Sequence, residues 1–410
     1  MQGATLNKFS KVKILVANLG STSFKYRLFD TDRDEQLARG GVERIGDESS
    51  PAFVEIGGAR QELTVRAPNH VAAFEACLVQ LTDPQHGCLA SACDVAAIGF
   101  KAVHGGSAGS VCLVDGNLLA AMEKMNRVAP AHNPAYLSAM RQLYEQMPSI
   151  PLVAAFETGF HETIPDRLRH YAVPPEWATD FQVQRWGFHG ASHRYVAERT
   201  AQLLGRNDLR VISCHLGGSS SLCAIRNGQS VATSMGMSPQ SGLPQNNRVG
   251  DFDVFALPVV MERTGKTLDE VLDLLASKSG LAGLSGTSGD IRDVAAAADA
   301  GSKKARLAVD VYVSSIRHYL GAYLVELGGA DVIAFAGGIG ENRPQIRAAV
   351  CESLEELGIV IDPQRNESLR GEGPIHADRS RVQIWVVPTN EELIVARQTE
   401  ELLRKKKSNR

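Results

Sequence analysis

Apolar positions along the chain follow two rhythms. Short apolar runs closed by Gly, Ser or Thr read as strands, and longer stretches with apolar residues three and four apart read as helices. The first strong signal is KILVANLGSTSFKYRLFD at 13–30, an apolar run, a Gly/Ser/Thr cluster and a second, alternating run. It predicts a β-hairpin with a polar turn. A segment of the same shape, RVISCHLGGSSSLCAIRNG, occupies 210–228, and Asn18-Leu19-Gly20-Ser21-Thr22-Ser23 lines up with His215-Leu216-Gly217-Gly218-Ser219-Ser220. That spacing is far longer than a solenoid repeat and predicts a duplicated α/β domain, with a cleft between the halves as the natural ligand site. Helices are expected over 70–81 and 133–147, each followed by a strand-like run, at 94–106 and 150–158. The second half repeats the rhythm with a helical region at 302–328, a strand at 330–338, a helix after 345, a strand at 381–389 and a closing helix from Glu391. This alternation predicts α/β layering on mixed sheets, with the closing helix returning to the first half.

Length and composition narrow the class. A chain of 410 residues with 44% hydrophobic and 22% charged residues is expected to form two domains with ordinary cores. A net charge of -3 provides no field for nucleic acid or anionic lipid, and the basic run Arg404 to Lys407 reads as a solvated tail. The N-terminal apolar stretch is too short for a secretory signal and reads as a strand, so neither export nor a membrane span is expected. Seven cysteines without CxxC pairs argue against a disulfide framework or zinc site and for a reducing cytoplasm.

Candidate chemistry lies in three glycine- and serine-rich turns, each after an apolar strand: Gly20-Ser21-Thr22-Ser23, Gly217-Gly218-Ser219 and Gly337-Gly338-Ile339-Gly340. Such turns let backbone N–H groups approach phosphate without side chains in the way. Lys25 follows the first and Glu341 closes the third. None matches GxxxxGK[ST] or a strand-borne GxGxxG with its ribose-binding acid, so neither a P-loop nor a Rossmann site is indicated.

With the motifs NLGSTSFK, KAVHGG, APAHNP, FETGFHETIP, WGFHGASH, HLGGSSS, NNRVGD, SGTSGDIRD, GGIGEN and PTNEE in view, the chain resembles the acetate kinase family of short-chain acyl kinases over nearly its whole length. That family lies in the superfamily of sugar kinases, actin and Hsp70-type ATPases. The resemblance implies an α/β fold of duplicated actin/Hsp70-like ATPase domains with a ribonuclease H-like core and an interdomain cleft. The domains implied are 1–156, completed by a helix over 394–410, and 157–393. It also implies ATP and a short-chain carboxylate as substrates, Mg²⁺ (or Mn²⁺) as metal, and a homodimer with its interface on the second half.

Carried over by position, the resemblance puts Asn18 and Glu391 on the metal and Ser21, Ser23 and Lys25 on the phosphates. It gives the nucleotide to His215, Leu216, Gly217, Gly218 and Ser219, to Asp290, Ile291 and Arg292, and to Gly337, Gly338, Ile339, Gly340 and Glu341. His189 and Arg248 would steady the phosphoryl group in flight, and Glu157 takes the place of the family's catalytic aspartate. Lys101 and His132 would face the substrate carboxylate, and Val103, Ala131, Phe188 and Pro239 would line the acyl pocket.

This inventory suits the chemistry. A carboxylic acid is ionised at neutral pH and needs no strong general base, but an anion approaching a triphosphate needs cations and donors around the line of attack. The chain departs from the family pattern at four places. Lys101 replaces an arginine, which keeps the charge and loses the planar fork. Glu157 replaces aspartate, and Gly218-Ser219 replaces Asn-Gly. Ala131 replaces leucine, which is expected to enlarge the pocket so that propionate or another three-carbon acid such as lactate competes with acetate. Two other readings stay open at this point: a non-catalytic nucleotide-binding relative, and transfer to a sugar hydroxyl or water with Glu157 as general base.

Overall fold

The structure is a computed structural model that describes residues 12–130 and 133–408. The chain divides into two compact units, Met1–Gly159 with Glu391–Arg410, and Phe160–Asn390.

The first unit is built on an eight-stranded sheet formed by β1 (Lys13–Leu19), β2 (Ser23–Asp30), β3 (Glu35–Glu43), β4 (Ser50–Ile56), β5 (Ala59–Val65), β6 (Val95–Ala102), β7 (Val111–Leu113) and β8 (Leu152–Phe156). Their order across the sheet is β5-β4-β3-β2-β1-β6-β8-β7. β1 pairs antiparallel with β2 and parallel with β6, and β6 runs parallel with β8. The strands in parallel pairing are continuous apolar runs, Ile14 to Ala17 and Leu152 to Phe156 being buried throughout, as a sheet covered on both faces requires. α1 (His70–Leu81) starts at Asn69, whose side chain accepts the Ala72 N–H at 2.9 Å, and it sends Phe74, Cys77, Leu78 and Leu81 into the core. α2 (Asn133–Gln146) buries Tyr136, Leu137, Met140 and Leu143, one stripe at helical spacing.

The second unit repeats the plan on six strands: β9 (Arg210–Leu216), β10 (Ser220–Arg226), β11 (Gln229–Thr233), β12 (Val332–Ala336), β13 (Gly373–Pro374) and β14 (Gln383–Val386), in the order β11-β10-β9-β12-β14-β13. The segment β11-β10-β9-β12-β14 has the same directions and crossovers as β3-β2-β1-β6-β8. Hairpins β1–β2 and β9–β10 therefore occupy equivalent places, with turns at 20–22 and 217–219. This is a duplicated α/β domain of the actin-like ATPase kind.

Four helices shape this unit's site: α3 (Gly190–Leu204), α4 (Ile291–Asp299), α5 (Lys303–Leu327) and α6 (Gly337–Asn342). α5 buries Ala305, Ala308, Tyr312, Ile316, Leu320, Tyr323 and Leu327, an unbroken stripe three and four apart. Tyr312 of that stripe reaches the Ser220 hydroxyl at 2.9 Å, and Ser220 binds both the N–H and the carbonyl of Gly217, which braces the β9–β10 turn. The closing helix α7 (Glu391–Ser408) belongs to the first unit, where Leu393, Ile394, Val395 and Ala396 are buried and Arg397 and Arg404 pair with Asp34 and Asp32.

One local reading is corrected. Gly337 to Gly340 reads in sequence as a turn, but it forms the start of α6. Gly337 sits at φ 75°, where a β-carbon would stand 2.7 Å from the Leu216 carbonyl oxygen. Only glycine lets the chain turn so sharply out of β12. At the other end, Arg347 takes the Gly340 and Glu341 carbonyls that the last helical turn leaves unpaired.

Candidate active site

In the first unit, parallel pairing places the ends of β6 and β8 side by side, the usual location for ligands on such sheets. Lys101 lies opposite Ala155 near the end of β6, and Glu157 follows β8 with its N–H donated to the Ala102 carbonyl. Glu391 opens α7. The Lys101 ammonium donates to Glu391 Oε2 and lies 3.6 Å from Glu157 Oε1. Burial works against that ammonium, but the Glu157 and Glu391 carboxylates more than reverse the effect and hold its pKa above the ordinary lysine value.

Asn18, one residue before the end of β1, lies opposite Lys25, and its side-chain oxygen accepts the Tyr136 hydroxyl at 2.9 Å. The same hydroxyl accepts the Leu19 N–H at 3.3 Å, and burial lifts the phenol to about 12, so it stays a donor. Tyr136 is thus a further candidate, beside Asn18, that sequence reasoning missed, because its partners lie more than a hundred residues away. Lys25 is exposed and pairs with Glu43 at 3.3 Å. Ser21 is exposed on the turn, and Ser23 is half-buried at the start of β2. Val103 is half-buried just beyond β6. Ala131 and His132 lie outside the described residues. Their neighbour Asn133 is buried and ties α2 to the His104 carbonyl at 2.9 Å.

In the second unit, a network of histidines and serines surrounds the β9–β10 hairpin. His189 holds φ 57°, the left-handed region uncommon for a non-glycine residue, and stands at the head of α3. Its Nδ1 meets Ser221 Oγ at 2.8 Å, and His193 Nε2 meets the same hydroxyl at 2.8 Å. His193 Nδ1 in turn meets Ser213 Oγ at 2.9 Å. His215 Nδ1 meets Ser192 Oγ at 2.7 Å, and the His189 and His215 rings lie 4.3 Å apart. Phe188 is buried, and its carbonyl accepts from His161 Nε2 at 2.9 Å, which leaves His161 Nδ1 to accept from Ser230. Ser221, His193 and His161 are further residues that sequence motifs alone did not single out.

Burial drives the buried rings neutral, taking His161 down to about 4 and His193 well below its usual value. A histidine depressed in the folded state contributes stability that is whole above its unfolded pKa of 6.5 and lost as pH falls towards 4. For His161 the loss is expected to reach about 2 kcal/mol at pH 5. Denaturant unfolding free energies at pH 7 and 5 test this, and His161→Asn should lessen the difference by about that amount, with the His193 contribution remaining.

The remaining second-unit candidates fall into three groups. Arg248 Nη1 donates to Ser219 Oγ at 3.3 Å and to Gln245 Oε1 at 3.1 Å. Gln245, buried and unremarkable in the sequence, also accepts from Ser219 Oγ at 2.7 Å and donates to the Pro239 carbonyl at 2.7 Å, so it joins three of the expected residues. Three N–H groups, of Ser279, Leu281 and Ala282, hold the carbonyls of 245–247. Gly280 between them has φ 60°, and a β-carbon there would stand 2.2 Å from the Gln245 carbonyl oxygen. Asp290 caps α4, and its carboxylate binds Arg292 through the backbone N–H and the guanidinium, which brings it down to about 2. Ile291 and Ile339 are buried beneath these loops, as is Leu216 under the hairpin, while Gly218 and Gly338 are exposed. Burial raises the Glu341 carboxyl, against the N–H groups of Gly337 and Thr389, which favour its anion.

Two sheets that share one strand order, each with a Gly/Ser hairpin turn, make this a chain of duplicated actin-like domains. The acetokinase family model matches residues 13–397. An acetate kinase from Dictyoglomus turgidum is 42% identical over 394 residues, covering 95% of this chain and 97% of that relative. The crystal structure of Porphyromonas gingivalis acetate kinase superposes with a TM-score of 0.87 at 38% identity, covering 96% of this chain and all of that one. A propionate kinase from Francisella tularensis gives 0.85 at 31% identity over 94% of this chain and 98% of its own. The chain belongs to the acetokinase family, phosphotransferases whose acceptor is a carboxyl group. These relations support acetate kinase-type activity rather than a non-catalytic relative.

Proposed function

We propose that this chain moves the γ-phosphoryl group of ATP reversibly onto a short-chain carboxylate, with acetate and propionate as acceptors. The observation that carries the reading is the placement of two partly buried cations: Lys101 near the end of β6, against Glu391 and 3.6 Å from Glu157, and Arg248 on the Ser219 hydroxyl of the β9–β10 turn. An ionised acceptor needs its charge offset rather than a proton removed. In this reading Lys101 holds the acceptor carboxylate, while Arg248 and His189 stabilise the transferring phosphoryl. Ser221 keeps the His189 ring oriented, and the 217–219 turn, the Asp290–Arg292 segment and α6 hold the nucleotide.

A divalent ion suits the first-unit donors. Glu157 and Glu391 answer one ammonium, and Asn18 offers an amide oxygen, an all-oxygen set of the kind Mg²⁺ takes together with water and phosphate. When bound, Mg²⁺ or Mn²⁺ would neutralise phosphate charge there. We also propose a homodimer: Val254, Phe255, Val259, Leu268 and Leu272 of the second unit are exposed apolar side chains in one stretch of chain, which solvent disfavours. Among the described residues no helix is long and apolar enough to cross a membrane. The spacing of the seven cysteines, without CxxC pairs, suits a reducing, cytoplasmic setting.

Hydroxamate-coupled acyl phosphate formation with MgATP tests the reading on acetate, propionate, lactate and butyrate. The expected result is a propionate kcat/KM within about tenfold of that for acetate, the low end of the about 1–3 kcal/mol that one methylene is worth in an apolar pocket, because the sequence has Ala131 where the family has the bulkier leucine. Strong preference for acetate would refute the enlarged pocket alone. Absence of acyl phosphate with every acid, despite ATP binding, would refute the proposed activity.

A further inference from the structure

One ammonium in the first unit answers two carboxylates. Lys101 donates to Glu391 and lies 3.6 Å from Glu157, whose side chains are 15% and 8% exposed. Glu392 acts on the same ammonium from the next position, and Arg27 stands 3.7 Å from Glu392. As it stands, the lysine places a cation against two largely buried carboxylates. A divalent ion seated on that pair would bring two positive charges and leave the ammonium beside a site already neutralised. Coulomb repulsion at this range and burial drives one of the two cations away. Lys101 is the one that can move, since its charge rides on a flexible four-carbon stem rather than a rigid planar fork.

We infer that Lys101 is a displaceable internal counter-ion: it holds Glu157 and Glu391 until a divalent ion takes them, and the released ammonium then binds the carboxylate of the acceptor acid. Metal and acid are thereby coupled, each strengthening the binding of the other. The inference rests on the proposed reading of Glu157 and Glu391 as metal ligands. It makes Lys101 more than a fixed clamp on the acid.

The test uses full-length protein holding ADP, with Mn²⁺ titrated in and the free ion counted by electron paramagnetic resonance. Lys101→Gln, which removes the competing charge, is expected to bind Mn²⁺ about tenfold or more tightly than the unaltered protein. Lys101→Arg, which retains the charge, should bind no more tightly than the unaltered protein. Equal Mn²⁺ affinity in the unaltered protein and Lys101→Gln overturns the inference while leaving the metal reading intact. If Glu391→Gln leaves Mn²⁺ binding unchanged in the Lys101→Gln background, the metal reading falls and the inference with it. A second measurement needs no variant: saturation-transfer NMR should show propionate binding to the ADP-loaded protein about fivefold or more tightly with Mg²⁺ than without. An unchanged propionate affinity also overturns the inference.

Discussion

Arg248→Ala is expected to lower kcat about 10³-fold while leaving the fold intact. Both of its hydrogen bonds to Ser219 and Gln245 use Nη1, one corner of a fork with five N–H donors. Burial lowers the Arg248 pKa from its usual value, yet among the described residues no carboxylate is paired with it in compensation, an arrangement that suits a guanidinium awaiting an anionic ligand. Phosphoryl transfer is catalysed mainly by charge placed around the moving group. A single preorganised donor is worth about 10²–10³ in kcat and an arginine on the phosphoryl group about 10³–10⁵. The loop is held by backbone bonds from 279–282, so truncating the side chain should change unfolding free energy by less than about 1 kcal/mol. Arg248→Lys should recover only part of the rate, since a point charge cannot replace the planar fork. Rapid-quench single-turnover assays with the unfolding midpoint measured in parallel provide the check. A rate within about threefold of the unaltered enzyme would remove Arg248 from the mechanism.

The largest stability effect is expected at Arg347, the bulkiest fully buried side chain, with 1% exposure. Its guanidinium donates to the Gly340 and Glu341 carbonyls at 2.8 and 2.9 Å and to the Asn366 side-chain and backbone oxygens at 2.7 and 2.8 Å. Desolvation opposes the charge and lowers its pKa, so replacing it also relieves a cost. The four orphaned acceptors outweigh that relief, because each buried unsatisfied group costs about 1–3 kcal/mol. Arg347→Met should therefore lose about 3 kcal/mol in denaturant unfolding of the second unit. It should also weaken ADP binding, since α6 would lose the group that closes its last turn. An unchanged midpoint would mean that water replaces the guanidinium at no net loss.

Much of the scaffold was legible in the sequence because the relevant signals are local. The hairpins at 13–30 and 210–228 announce themselves by an apolar run, a Gly/Ser turn and an exit strand, all set by neighbours in the chain. The 302–328 helix is equally plain, its stripe and its Ser302 and Gly328 ends being sequence features that the folded α5 retains. Where the local signal misled, tertiary contact had overridden it. Two adjacent glycines argue for a turn at 337–340, but the stretch is helical: Gly337 makes the sharp exit from β12, and Arg347 from a later helix takes the Gly340 and Glu341 carbonyls.

The supporting side chains of the site were harder to read. Tyr136 matters because α2 brings it to Asn18, and Gln245 because a loop brings it to Ser219, Arg248 and Pro239. Nothing in a tyrosine on an apolar helical stripe, or in a glutamine within a loop, distinguishes either from an ordinary structural residue.

The sequence by itself determined the duplicated α/β plan, the positions of the two hairpin turns and the family, because strand period, turn chemistry and contiguous motifs are encoded over a few residues. Only the tertiary structure decided which side chains meet. It placed Lys101 on Glu391, 290 positions along the chain, and put one serine hydroxyl between His189 and His193. Those pairings depend on strand order and register across each sheet, and the apolar core fixes these only when distant segments pack together.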